Sequence, residues 1–213
     1  MSISPQSMPV NQYDLIPPHS ESLNQRSQEV PPDHINSPEI QGLIDRMFEI
    51  GIGEQGDPKH PTLVGLAAPQ IGVNKRIILV GVDAQGNGEP PRLQAFINPV
   101  ITYASTELVA GREGCFSADR VCGIVDRAQT VHVQALDRKG NPVALTAQAF
   151  PARIFQHEVD HLDGIRFPDR ITDPARLHWV PKEQFGQYRH SWATWQELCP
   201  PERWHAIKYG ETA

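Results

Sequence analysis

Gln156-His157-Glu158-Val159-Asp160-His161-Leu162-Asp163-Gly164 sets two histidines four residues apart with a glutamate beside the first. Pro151 suits the first turn of a helix and Gly164 is well placed to end one, so a helix is expected over Ala152 to Leu162. Residues four apart share a helix face, so both imidazoles can point at one metal ion. A divalent metal brings the pKa of its water toward neutrality. Glu158 is placed to take a proton from that water and pass it to a leaving amine. The HExxH pentapeptide alone also fits two surface histidines on a helix.

A catalytic tetrahedral site needs a third protein ligand. Downstream histidines exist at His178, His190 and His205, but Phe167 stands where the HExxHxxGxxH spacing needs a histidine. Upstream lies Glu113-Gly114-Cys115-Phe116-Ser117, where glycine permits close backbone approach and a thiolate offers a strong ligand for a soft or borderline metal. Cys115 taken alone also fits a buried structural thiol. A third segment, Val64-Gly65-Leu66-Ala67-Ala68-Pro69-Gln70-Ile71-Gly72, lets a backbone lie close to a ligand, with Gln70 offering an amide N–H to a developing oxyanion. By itself this segment also reads as a packing loop.

In this order the three segments resemble the peptide deformylase family, whose GxGxAAxQ, EGCxS and QHExDHLxG motifs they match over a resemblance running from about Ile40 to Asp169. The resemblance implies a hydrolase that removes formate from N-formylmethionine on new bacterial or organellar polypeptides. It implies one divalent metal, with Fe2+ expected and Zn2+, Ni2+ or Co2+ accepted, held by Cys115, His157 and His161. Glu158 would be the acid and base, and Gln70 with the Phe116 backbone N–H would hold the oxyanion. Val64, Gly65, Gly111, Glu113, Phe150 and Ile154 would contact the substrate. Transient contact with the ribosome comes with that substrate.

Several positions depart from the pattern. Leu63 replaces the first glycine of the first motif and is expected to narrow or shift the groove. Phe116 replaces a leucine, and Ala118-Asp119-Arg120 alters the rim. Arg153 falls among the expected pocket residues, and its stem is expected to fold inward with its charge in solvent. These departures keep open a related amidase acting on another formamide. The motifs also admit a metal-retaining binding module and a zinc endopeptidase. The module has no need of both Glu158 and Gln70, and the endopeptidase lacks its downstream ligand. Gln156 and Glu113 flank ligands and are expected to orient them, with Arg127 as a partner for Glu113.

Around these segments the sequence reads as an α+β protein, with mixed or antiparallel sheets packed around the HExxH helix and an N-terminal helix. Ser37-Pro38-Glu39 is a capped helix start, and Ile40, Leu43, Ile44, Met47 and Phe48 form one face ending near Gly51. Gly51 to Pro61 is expected to be a loop, Lys75 to Val82 and Leu93 to Tyr103 strands, and 130–136 with 143–149 a hairpin. The expected organisation is a loose or surface-hugging arm over 1–34, a catalytic domain over 35–172, and an extension over 173–213 that carries all four tryptophans. A net charge of -6 argues against a general grip on DNA or an anionic membrane. No apolar run approaches the roughly 18 residues needed to span a bilayer. Met1 to Val10 does not read as a secretory signal, so a cytoplasmic location is expected. The three cysteines make no disulfide framework, and Cys122 and Cys199 are read as thiols without a function. His60, His132 and the histidines of the extension are read as surface or structural.

Overall fold

The structure is a computed structural model and describes residues 15–53 and 62–211. Most of the loop expected between Gly51 and Pro61, with His60, lies outside those residues. Helix α1 spans Pro38–Ile52, and the Ser37 hydroxyl accepts from the Ile40 N–H, the expected cap. Strands β1 (Gly65–Ala67), β2 (Ile77–Gly81) and β3 (Leu93–Ala104) follow. Next come β4 (Leu108–Gly114), β5 (Val121–Ala128), β6 (Thr130–Leu136) and β7 (Pro142–Gln148). Helix α2 (Ala149–Leu162) carries the HExxH run and starts three residues earlier than expected, with Pro151 in its first turn. Strand β8 (Leu177–Trp179) and helices α3 (Phe185–Ser191) and α4 (Pro201–Tyr209) complete the chain.

Two antiparallel sheets result, one in the order β1-β2-β3-β6-β7 and one in the order β4-β5-β8. The larger sheet is covered on both faces, which explains the unbroken Ile77-Ile78-Leu79-Val80 of β2. Ile78 and Val80 join Phe96, Val131, Val133 and Phe155 beneath α2, while Ile77 and Leu79 join Ile40, Ile44 and Met47 of α1. Side chains alternate across a strand, so both sets must be apolar. Phe96 and Phe155 meet edge to face at 5.0 Å. Full burial of side chains of this size stabilises by about 1.5–3 kcal/mol each, which fixes α2 on the sheet.

The flanking segments are fastened to this frame. In 15–34, Leu23, Ser27 and Val30 are buried, and the Val30 N–H and C=O both pair with the Asn98 side chain at 2.9 Å. In the Trp-bearing extension both strand and helix occur. β8 pairs antiparallel with β5, and the Trp204 indole N–H donates to Asp169 at 2.9 Å. The fully buried Arg166 joins the two flanks, donating to the carbonyls of Pro18 and Ser117 and to the Asn24 side chain, with its guanidinium 4.8 Å from the Trp204 ring.

Burial pushes the Cys122 thiol up to about 12 and the Cys199 thiol up to about 11. The thiolate is the reactive form, so both should stay silent near neutrality. In metal-stripped native protein at pH 8, Cys115 alone is expected to react with a colorimetric thiol reagent, and guanidinium should release all three. Rapid native reaction of a second thiol would contradict this packing.

Candidate active site and metal centre

One turn of α2 sets the His157 and His161 rings 5.0 Å apart. Strand β4 delivers Cys115 to them from the other sheet, with Sγ 3.4 Å from His161 Nε2. The candidate ligand atoms of Cys115, His157 and His161 all lie within 4.8 Å of one another. A thiolate with two imidazoles suits a borderline-soft divalent metal, and three protein ligands leave one position open. His157 Nδ1 sits 2.9 Å from Glu113 Oε2, so the other ring nitrogen is the one presented to an ion. The residues present therefore fit a metal.

Glu113 is the anchor of this arrangement. It is buried, and burial alone would raise its pKa. The Arg127 guanidinium and the His157 ring outweigh that and hold it well below the usual carboxylate range. Arg127 grips both Glu113 oxygens at 2.9 Å and reaches Asp160 at 2.6 Å, and Arg170 holds the other Asp160 oxygen. The expected Arg127–Glu113 pair is present, and it lies in the interior. Burial lowers the His157 pKa, but the Cys115 thiol and Glu113 raise it further still, so the net direction is up. His161 is pushed well down, by burial first and then by the positive charge on His157. Glu158 is pushed up to about 7 by burial, and its Oε2 has no hydrogen-bond partner among the described residues. A buried carboxylate left unpartnered costs stability, and such groups concentrate at functional sites.

Gln70 is held rigidly. Its Oε1 accepts from the Ala67 N–H at 2.8 Å, while its Nε2 lies 3.3 Å from both Cys115 Sγ and Ser117 Oγ. Phe116 follows Cys115 with its ring exposed. Gly65 backs onto α2 so closely that a Cβ there would stand 2.8 Å from Ile154 and 2.9 Å from the Glu158 carboxyl carbon. Phe150 and Ile154 lie on α2 against the apolar cluster beneath it, and Val64 is exposed. β1 and β4 are the end strands of their sheets, so among the described residues each offers an edge without a neighbouring strand.

The sequence profile of the polypeptide deformylase family matches residues 13–177. The chain belongs to that family. It is 40% identical over 171 residues to the peptide deformylase of Pelotomaculum thermopropionicum, covering 80% of this chain and 97% of that one. It is 36% identical over 170 residues to peptide deformylase 2 of Pseudomonas putida, covering 78% and 92%. The solved class I type b deformylase of Acinetobacter baumannii with Met-Ala-Ser bound superposes with a TM-score of 0.65 at 34% identity, covering 74% and 96%. The expected α+β fold and the expected enzyme class both hold: it is a hydrolase that removes formyl groups from polypeptide N-termini. The family is metal-dependent, and the Cys-His-His group is where this deformylase can hold its ion.

Three expectations need correction. The Arg153 charge does not reach solvent. Its guanidinium is buried, donating to Glu113 Oε1 at 2.8 Å and to the carbonyls of Val125 and Val109. Gly111 makes this possible, because a Cβ there would stand 2.7 Å from Arg153 Nη2. Leu63 does not intrude between the sheet edges but packs with the α1 cluster. Gln156 does not orient a ligand; it clamps the Ala128 backbone, donating to its carbonyl and accepting from its N–H at 3.0 Å. Sequence reasoning missed Ser117, Asp160, Arg166 and Arg170. Asp160, inside the HExxH run, and Ser117, at the end of the EGCxS segment, carried a local signal, and the two arginines did not.

Arg127→Ala leaves two buried carboxylates short of their cation, and loss of one partner of such a pair costs about 3–5 kcal/mol. Chemical denaturation should show a drop of that size, and a loss below about 1 kcal/mol would contradict the network. Gly65→Ala should lower kcat/KM at least about tenfold while costing about 1–3 kcal/mol of stability, since the new methyl meets packed atoms. A fully active variant would contradict the close approach of β1 to α2.

Proposed function

We propose that this deformylase acts on N-formylmethionyl polypeptides, with Cys115, His157 and His161 holding the ion and Glu158 moving the proton. The observation that carries the reading is the buried Glu158 carboxylate, unpartnered at Oε2 and raised to about 7, one residue from the first histidine of the Cys-His-His group. When bound, the divalent ion lowers the pKa of water and polarises the formamide carbonyl. Glu158 takes the proton of the attacking water and passes it to the departing amine, a transfer for which a pKa near the working pH is well matched. The Gln70 side-chain N–H and the Phe116 backbone N–H donate to the developing oxyanion. Gln70 is suited to this because its carbonyl is already committed to Ala67, so the amide cannot turn.

Substrate holding follows from the two sheet edges. Val64 and Gly65 of the first and Gly111 with Glu113 of the second take an extended peptide backbone between them. Phe150 and Ile154 form the apolar floor for the methionine side chain. Arg153 spends its donors on protein acceptors, which favours methionine over a substrate carboxylate in that pocket. Ferrous iron is the proposed ion, with zinc, nickel and cobalt accepted by the same donors. A substrate born on the ribosome fits a cytoplasmic enzyme in transient contact with nascent chains.

Protein prepared without oxygen and loaded with ferrous iron or nickel should release formate from formyl-Met-Ala-Ser. Glu158→Ala should lower the rate by about 10²–10⁴ while metal content stays near one per chain. Absence of release by a folded, loaded protein would sink the assignment.

A further inference from the structure

The end strands β1 and β4 belong to different sheets, and an extended peptide between them turns successive side chains to opposite faces. The first side chain faces α2, the side on which Gly65 lies close against Ile154 and Gly111 close against Arg153. The second side chain therefore points away from α2. On β4 that opposite face belongs to Arg112, the residue between Gly111 and Glu113. Gly114, two residues further on, backs onto the Cys122 thiol at 3.0 Å, and Cys122 packs with Tyr188 of α3. Arg112 thus stands where the extension meets the rim of the groove.

Arg189 follows Tyr188 on α3, the helix that packs on Cys122 behind Gly114. Burial lowers the Arg112 pKa and the charge of Arg189 lowers it further. An ideal side-chain carbon on Gly88 would stand 3.9 Å from Arg189 Nη1. Gly88 lies in the turn between β2 and β3, and Gly86 of that turn would touch the Phe150 ring at 3.4 Å. Arg189 is therefore beside the wall that carries the methionine pocket. Among the described residues neither Arg112 nor Arg189 makes a side-chain hydrogen bond or an ion pair, and Glu89 of the same turn pairs with neither. Two neighbouring like charges with no acidic partner among the described residues repel each other, and a carboxylate placed between them relieves that repulsion.

We propose that Arg112 and Arg189 read the side chain of the second residue of the substrate and favour aspartate or glutamate there. The proposal rests on the groove assignment made above. It makes the extension part of substrate selection, through one helix residue at the exit of the groove.

The test compares kcat/KM for formyl-Met-Glu-Ser, formyl-Met-Gln-Ser and formyl-Met-Lys-Ser with metal-loaded full-length enzyme at low ionic strength. Glutamate is expected to exceed glutamine by about five-fold, the effect of a partly exposed charge pair, with lysine below glutamine. Added salt should bring the three together, because exposed charges are screened over about 10 Å at 0.1 M. Arg112→Gln and Arg189→Gln should each cut the glutamate-to-glutamine ratio, Arg112→Lys should keep part of it, and Arg189→Glu should reverse it. The exposed Arg189 variants guard against misfolding of the half-buried Arg112 ones, and the ratio is insensitive to a general loss of activity. Equal rates for all three peptides, or a ratio that neither arginine moves, would overturn the proposal alone. Failure to release formate from any of them would overturn the groove assignment and the proposal with it.

Discussion

The buried carboxylate of Glu113 stands at the junction of the two sheets and the central helix. Arg127 reaches it from β5, Arg153 and His157 reach it from α2, and its own strand leads directly to Cys115. Desolvating a carboxylate costs several kcal/mol, so the site is tolerable only because three donors converge on it. That convergence fixes the ring of His157, the first imidazole of the metal group, through its Nδ1. Arg127 extends the same network to Asp160, and Asp160 is also held by Arg170 just beyond α2. The Cys-His-His group is thus positioned by charges that lie outside it.

The pairing of Arg153 with Gly111 shows how a departure from the family pattern is absorbed. An arginine among pocket residues needs room and acceptors. A glycine on the facing strand supplies the first, while Glu113 and the backbone carbonyls of Val109 and Val125 supply the second. Arg153 looks anomalous alone, and with Gly111 it forms one packed unit. The consequence is a site wall stiffened from behind, since β4 and β5 are both tied to α2 through the same side chain.

Arg166 plays a comparable part outside the catalytic centre. Its guanidinium collects acceptors from the N-terminal segment, from Ser117 beside the metal loop and from α4, with the Trp204 ring against it. Ser117 in turn lies within reach of the Gln70 amide. The two ends of the described chain are therefore mechanically joined to the loop that carries Cys115 and to the glutamine that faces it.

The chemistry was legible locally. An i, i+4 histidine pair needs only helix periodicity to face one point, and the cap at Ser37, the apolar run of β2 and the β6–β7 hairpin each follow from short-range rules. Strands β4 and β5 were not legible, because Gly111, Gly114 and Gly123 interrupt any apolar alternation and the strands are specified by their pairing. The Trp-bearing extension was equally silent, since a three-residue strand such as β8 exists only where β5 offers it an edge. Above all, the sequence could not say where the charge of Arg153 goes. Its local pattern favours solvent, and only the tertiary structure brings Gly111, Glu113 and two backbone carbonyls within reach, because hydrogen bonds between residues some forty positions apart are decided by packing rather than by neighbours in the chain.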